Sequence, residues 1–354
     1  MHELGDLLLQ VLEHGGSDLH ITVGVPPMMR LNGRLVPLGD GVLSAADTRA
    51  AIYGIMSEDQ RAALERDWEF DFAYSVPGRA RFRVNAYFQR NSVGAAFRLI
   101  PMEIRTLEQL GLPAALADLA LKPRGLVLVT GPTGSGKSTT LAAMIDCINR
   151  NREDHIITVE DPIEYLHGHD KAMINQREVG SDTKSFANAL KFVLRQDPDV
   201  ILIGEMRDLE TVAAALTAAE TGHLVFATLH TQDATQTVDR IIDVFPPYQQ
   251  QQIRIQLAGT LQGIVSQQLL PTADGHGRVV VAEIMIPTAG VRNLIREGKT
   301  HQLQTAMQTG TQHGMVTMDR SLADRYRQGM ITLETALQRA VDPEVLKTLL
   351  NQTG

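Results

Sequence analysis

Cysteine is all but missing: Cys147 is the single one in 354 residues. This excludes a disulfide within the chain and any cysteine-cluster zinc site, and a lone cysteine among apolar neighbours reads as a small core residue. No apolar run approaches the roughly 18 residues that a membrane-spanning helix needs. The opening Met1-His-Glu-Leu-Gly-Asp6 has neither the basic nor the apolar part of a signal peptide. A cytoplasmic protein is therefore expected, with membrane contact only through a partner. Positive charge is also in deficit. The 33 Lys and Arg face 41 Asp and Glu, for a net charge of −8, which opposes a broad surface for nucleic acid or anionic lipid. What remains, with 44% hydrophobic residues, suffices for two globular domains.

The most informative stretch is Gly131-Pro-Thr-Gly-Ser-Gly-Lys-Ser138, which fits the P-loop pattern G-x-x-x-x-G-K-[ST] at every fixed position. Before it, Gly125–Thr130 is an apolar, β-branched run suited to a buried parallel strand. After it, Ser138–Ile148 has a helical period without a breaker. Strand, glycine loop and helix in this order let backbone N–H groups surround a polyphosphate at a helix N-terminus. Thr133, Gly134, Ser135, Gly136, Lys137, Ser138 and Thr139 are the expected nucleotide-binding residues. Lys137 is expected to reach the β- and γ-phosphates, and the Ser138 hydroxyl to ligate Mg²⁺.

Upstream, the pattern predicts a helix from Leu4 to Val11, a strand over Ser17–Thr22 and a hairpin from Met28 to Leu38 turning at Asn32-Gly33. Ser44 opens a helical stretch with Asp47 as a capping-box acid, broken near Ser57 and ending about Arg66. Strands follow at Trp68–Ser75, Arg81–Gln89 and Val93–Ile100, with turns at Pro77-Gly78 and Arg90-Asn91. These make an α+β domain over residues 1–100. Arg81, Arg83 and Arg98 interrupt its apolar positions. Residues 101–123 read as a linker with a short helix.

From residue 124 on, strands at Gly125–Thr130, Ile156–Val159, Val200–Ile203 and Leu224–Leu229 alternate with helices at Ser185–Gln196, Leu209–Thr221 and Thr235–Val244. That alternation predicts an α/β domain around a parallel sheet. A strand at Val279–Ile286 follows, then a mostly helical portion broken near Gly298, Gly314 and Gly329.

Ligands of such sheets sit beyond the carboxyl ends of the strands. The first strand ends in the P-loop, the second in Glu160-Asp-Pro-Ile-Glu164, the third in Gly204-Glu205 and the fourth in His230-Thr231. Asp197, Asp199 and His223 begin strands and so belong to the opposite edge. Phosphoryl transfer to water needs a holder for Mg²⁺, a carboxylate to position or deprotonate water, and positive charge on the γ-phosphate. Glu205 is expected on the magnesium shell or the attacking water, because Gly204 stands where an aspartate is usual. Glu160, Asp161 and Glu164 all remain open as the base, and His230 is a further candidate.

The P-loop, Ile157-Thr-Val-Glu-Asp-Pro-Ile-Glu164, Ile203-Gly-Glu-Met-Arg-Asp208 and Thr221-Gly-His-Leu-Val-Phe-Ala-Thr-Leu-His-Thr231 stand in order. Together they resemble the secretion-ATPase superfamily and, from Leu4 to about Gln328, its PilT family of type IV pilus retraction ATPases. Gly290-Val-Arg-Asn-Leu-Ile-Arg-Glu297 resembles the family's retraction signature, with Gly290 and Val291 departing from it.

The resemblance implies a PAS-like N-terminal domain, a RecA-like P-loop ATPase domain over 124–354 with a helical C-terminal portion, and a ring of six with ATP held between domains. By position it makes Glu164 the general base, Glu205 the atypical acid, and Arg83 and Arg98 the arginines that close on the γ-phosphate. It implies an inner-membrane pilus platform protein as partner, and a paralogous retraction ATPase as a further one. Extension and type II secretion motors usually carry a tetracysteine element, which this chain lacks. A ring that binds nucleotide beside another motor, with little turnover, is the remaining alternative; a nucleic-acid translocase is opposed by the acidic balance.

Overall fold

Two sheets organise the chain, one in each of two units: Met1–Glu103 with Glu164–Leu166, and Ile104–Ile163 with His167–Gly354. This is a computed structural model, and it describes residues 4–31, 33–100 and 103–351.

The first unit comprises α1 (Leu4–Glu13), β1 (Asp18–Ile21), β2 (Met28–Leu31), β3 (Arg34–Pro37), α2 (Ala45–Gly54), α3 (Glu58–Asp67), β4 (Glu69–Val76), β5 (Ala80–Gln89) and β6 (Ser92–Ile100). Its six strands lie in the order β3-β2-β1-β6-β5-β4, every pair antiparallel. Local chemistry sets the boundaries. Ser44 with Asp47 and Ser57 with Gln60 each close a reciprocal capping box at the start of α2 and α3. Arg90 and Asn91 both have positive φ, 46° and 60°, the requirement of a two-residue hairpin turn whose twist matches its strands. Asn32 of the expected β2–β3 turn lies outside the described residues; Gly33, at φ +80°, belongs to it. Trp68 does not begin a strand as expected. It ends α3 in the left-handed region, at φ 65°, and β4 starts one residue later. Alternation along β5 and β6 buries Phe82, Val84, Ala86, Ala95 and Phe97 and turns Arg83 and Arg98 to the exposed face.

In the second unit come α4 (Ala115–Ala120), β7 (Gly125–Thr130), α5 (Lys137–Asn151), β8 (His155–Glu160), β9 (Met173–Glu178), α6 (Phe186–Val193), β10 (Val200–Ile203), α7 (Leu209–Glu220), β11 (Leu224–Leu229) and α8 (Ala234–Asp243). They are followed by α9 (Pro247–Thr260), β12 (Leu261–Pro271), β13 (Arg278–Met285), α10 (Ala289–Arg296), α11 (Leu303–Thr309), α12 (Met318–Arg327), α13 (Leu333–Arg339) and α14 (Pro343–Asn351). The strand order is β13-β12-β7-β11-β10-β8-β9, parallel except for the β12–β13 pair. Every residue of β7, β10 and β11 is buried, as continuous apolar runs covered on both faces must be.

Three elements escape the sequence pattern. On β9, an edge strand, Asn175, Gln176 and Arg177 leave no clean alternation. The glutamine-rich α9 buries only Ile253, Leu257, Ala258 and Thr260. Along β12, Gln262, Ser266 and Gln267 interrupt an apolar run, although Ser266 and Gln267 are themselves buried. Cys147 is half-buried beside the core under α5 rather than within it, and burial pushes its thiol pKa up.

Phe226 on β11 is fully buried among Val127, Val200 and Leu224. Phe226→Ala should lower the unfolding free energy of the second unit by about 3–5 kcal/mol, read from denaturant titration. A loss below about 1 kcal/mol would mean that the sheet interior closes over the cavity.

Candidate active site

The parallel register brings four strand ends to one edge. Thr130 of β7 lies beside Leu229 of β11, Ile203 of β10 beside Ala227, and Val159 of β8 beside Ile203. The P-loop, Glu160, Glu205 and His230 therefore emerge together. Asp199, His155, His223 and Gly125 are joined by backbone hydrogen bonds at the other edge. There His223 Nδ1 bonds to the Ala218 carbonyl at 3.0 Å, closing α7.

Between β7 and α5 the loop is shaped by glycine. Gly131, Gly134 and Gly136 have φ of +139°, +79° and +90°, a region closed to most side chains. Gly136 is the N-cap residue of α5 and no side chain caps that helix, whereas Ser or Asp caps α2, α3, α6, α7 and α8. The first-turn N–H groups of α5 thus receive no acceptor from an N-cap side chain, and a helix start behind a glycine loop is the arrangement that receives phosphate. Within the loop the buried Ser135 Oγ has no hydrogen-bond partner among the described residues. Lys137 Nζ donates to the carbonyls of Gly131 at 2.9 Å and Pro132 at 3.1 Å. Thr133 and Gly134 are exposed, and Ser138 and Thr139 half-buried, in the first turn of α5. A cavity of about 360 Å³ adjoins Gly136 and Thr139, with Leu110, Leu112, Leu269 and Val280 on its walls together with Arg105 and Arg278.

Two side chains that sequence reasoning missed hold this loop from β12. Ser266 Oγ and Thr130 Oγ1 share a hydrogen bond of 2.8 Å, and Gln267 Nε2 donates to the Ser135 carbonyl at 2.8 Å. Their sequence signal was polarity inside an otherwise apolar run.

Glu205 is largely buried, and its Oε2 lies 2.8 Å from an Arg207 guanidinium nitrogen and 3.7 Å from His230 Nε2. A side chain at Gly204 would be crowded: a Cβ there would sit 3.3 Å from both Glu160 Cα and the Val159 carbonyl oxygen. Ser138 and Glu205 offer hard oxygen donors, the kind Mg²⁺ takes alongside phosphate and water. Among the described residues no group of three or more His, Cys, Asp or Glu forms a closed metal cage. Asp208 instead caps α7 through Thr211. Glu160 accepts from Thr158 at 2.6 Å and Gln176 at 3.2 Å, so it is engaged within the sheet. Asp161 is exposed in the loop after β8, and Ile163 is tied by its N–H to the Glu178 carboxylate at 3.1 Å.

Glu164, Arg83, Arg98 and Arg81 belong to the first unit. There Arg83 and Arg98 are directly opposite in the β5–β6 register. Arg98 Nε is 2.9 Å from Asp18 Oδ1, and the Arg30 Nε is 4.0 Å from the other oxygen of that carboxylate. Like charges in direct opposition oppose strand pairing, and the nearly buried Asp18 offsets part of that cost. Arg81 lies half-buried further along β5, opposite Ile100. In the segment 290–297, Arg292 donates to the carbonyls of Ala258 and Gly259, which joins α10 to the end of α9. A Cβ at Gly290 would meet the capping Thr288 Oγ1 at 3.9 Å, an ordinary contact.

A profile described as "Type II/IV secretion system protein" matches residues 76–276. The chain is 49% identical over 342 residues to "Type IV pilus retractation ATPase PilT" of Pseudomonas aeruginosa, covering 97% of this chain and 99% of that protein. It is also 49% identical over 348 residues to "Type IV pilus ATPase PilU" of the same organism, covering 98% and 91%. The solved structure titled "Crystal Structure of the Pilus Retraction Motor PilT and Bound ADP" superposes with a TM-score of 0.92 at 50% identity, covering 98% of this chain and all of that one.

The loop that carries His230 is anchored by Glu283 on β13. Through Oε1 this buried carboxylate accepts from the N–H of Ala234 at 2.9 Å, at the start of α8, while its buried Oε2 has no hydrogen-bond partner among the described residues. Burial raises its pKa from 4.5 to about 7, against that bond. The folded state then holds a proton that the unfolded state releases, and stability falls as pH rises from about 4.5 to about 7. His167, lowered by burial to about 4, acts oppositely and loses stability as pH falls from its ordinary value. Comparing Glu283→Gln with wild type isolates the first effect. The wild-type melting temperature should fall relative to that of the variant between pH 5 and pH 8, and parallel curves would contradict the assignment.

Proposed function

The chain belongs to the type II/IV secretion system protein family, and from that premise we propose that it is an Mg²⁺-dependent ATP hydrolase, a ring of six that powers type IV pilus retraction. The observation that carries the reading is the uncapped start of α5 behind a complete P-loop, with Glu205 at the same sheet edge. In this reading the N–H groups of Thr133 to Thr139 take the phosphates. Lys137 exchanges the carbonyls of Gly131 and Pro132 for β- and γ-phosphate oxygens. The nucleoside occupies the cavity beside Thr139, and the ADP bound to the solved relative supports a nucleotide as the ligand.

Ser138 and Glu205 would hold Mg²⁺, Glu205 through water; when bound, the metal neutralises charge on the phosphate oxygens. Glu205, steadied by Arg207 and His230, orients the attacking water, and Glu164 takes its proton. Arg83 and Arg98 supply positive charge to the γ-phosphate, a contribution worth about 10³–10⁵ in rate. Their juxtaposition, unfavourable for the sheet alone, supports an anionic partner for the pair. Closure of the first unit upon the second is the working stroke, passed to an inner-membrane platform protein from the cytoplasmic face.

One second reading stands beside it, a nucleotide-binding ring partner of another motor with little turnover. Steady-state ATP hydrolysis with ring size from light scattering separates the two. Wild type should turn over as a hexamer, while Lys137→Ala, Glu205→Ala and Glu164→Gln fall by about 10²–10⁴ in kcat. A wild-type ring that turns over no faster than its variants would leave only the partner reading.

A further inference from the structure

We infer that Gln267 is a positioning residue for the phosphates: its side-chain amide holds the Ser135–Gly136 peptide of the P-loop, which a glycine would otherwise leave free to turn. The inference rests on the reading of this loop as a nucleotide site. Gln267 is 1% exposed and follows Ser266, which is in register with the last residue of β7. Both ends of its amide are engaged. Nε2 donates to the Ser135 carbonyl at 2.8 Å, and Oε1 accepts from Thr140 Oγ1 at 2.9 Å. The Ser135 carbonyl can only accept, so it fixes which end of the amide faces it.

The consequence follows from peptide geometry. In a trans peptide, C=O and N–H point in opposite directions. Tying the Ser135 carbonyl to β12 therefore turns the N–H of Gly136 away from β12. Gly134 and Gly136, both at positive φ, have little intrinsic preference that would hold this peptide in place. The glycines that let the loop close also deprive it of rigidity, and Gln267 restores it. The backbone of the same residue packs closely as well. Its carbonyl oxygen lies 2.3 Å from where a Cβ of Gly131 would sit, and its Nε2 lies 3.1 Å from the corresponding point at Gly136. Gly131 is thus required by β12 as much as by any ligand.

The test uses the full chain, with Mg-ADP binding by calorimetry, Mg-ATP kinetics, and melting without nucleotide. Gln267→Ala should raise the ADP dissociation constant and the KM for ATP at least tenfold, with a smaller change in kcat. Gln267→Glu has almost the same volume and, assayed at alkaline pH where its carboxyl is ionised, can still accept from Thr140 but offers the Ser135 carbonyl no donor. It should be at least as defective. Thr140→Val, which removes only the other bond, should change ADP affinity less than threefold.

Wild-type ADP affinity in Gln267→Glu overturns the inference, as does a Thr140→Val defect equal to that of Gln267→Glu, which would indicate packing alone. Should Gln267→Ala fail to fold, the other two variants decide. Because ADP binding is read without turnover, a wild type that binds ADP but does not hydrolyse ATP defeats the hydrolase reading and leaves this one standing. A wild type that binds no ADP defeats both.

Discussion

A helix cannot satisfy its own first N–H groups, and at the start of α5 the N-cap position is a glycine, with no side chain to accept from them. An anion placed there is favoured by those N–H groups and the helix dipole together. The surrounding architecture gathers polar groups around that start. Burial of β7 between β11 and β12 fixes where the loop emerges. The parallel neighbours β8, β10 and β11 end at the same edge and deliver their polar residues there. Side-chain caps are absent at α4, α9 and α11 as well, but the start of α5 lies behind a glycine loop and beside a cavity.

The first unit departs from another local rule. Arg83 and Arg98 oppose each other across β5 and β6, where like charges weaken pairing. Asp18, itself nearly buried, takes Arg98 and approaches Arg30, so one carboxylate serves two guanidinium groups. Sequences that break local consistency tend to do so where function requires it. Glu283 is a comparable departure in the second unit: an acid in a run of valine, alanine and isoleucine, bonded to the start of α8.

The parts of the chain legible in the sequence are those whose burial is two-sided or whose turn chemistry is local. The continuous apolar runs of β7, β10 and β11 announced a parallel sheet, and that sheet's geometry then assigned Glu205 and His230 to one edge and His223 to the other. Ser44 with Asp47 announced a helix start. What stayed hidden depends on partners distant along the chain. Gln267 and Ser266 look like flaws in a strand until the loop they hold, some 130 residues earlier, is placed against them. The Asp18–Arg98 pair spans 80 residues, and no short-range pattern reports it. On β9 the residues are polar because it is an edge, which removes the alternation by which strands are read. The absence of an aspartate at Gly204 was visible, but the nearness of the β8 backbone, which would crowd a side chain there, was not.

The flanks of β7 have a bearing on the order in which the protein comes into being. The P-loop is complete as a sequence at Ser138, yet β11 begins at Leu224 and β12 at Leu261, and the clamp on Ser135 arrives only with Gln267. On the ribosome, the motif is therefore exposed for a long interval as an unclamped glycine loop. Nucleotide capture becomes a late event of synthesis, and a nascent chain halted before β12 would carry the full signature of an ATPase with no working receptacle for ATP.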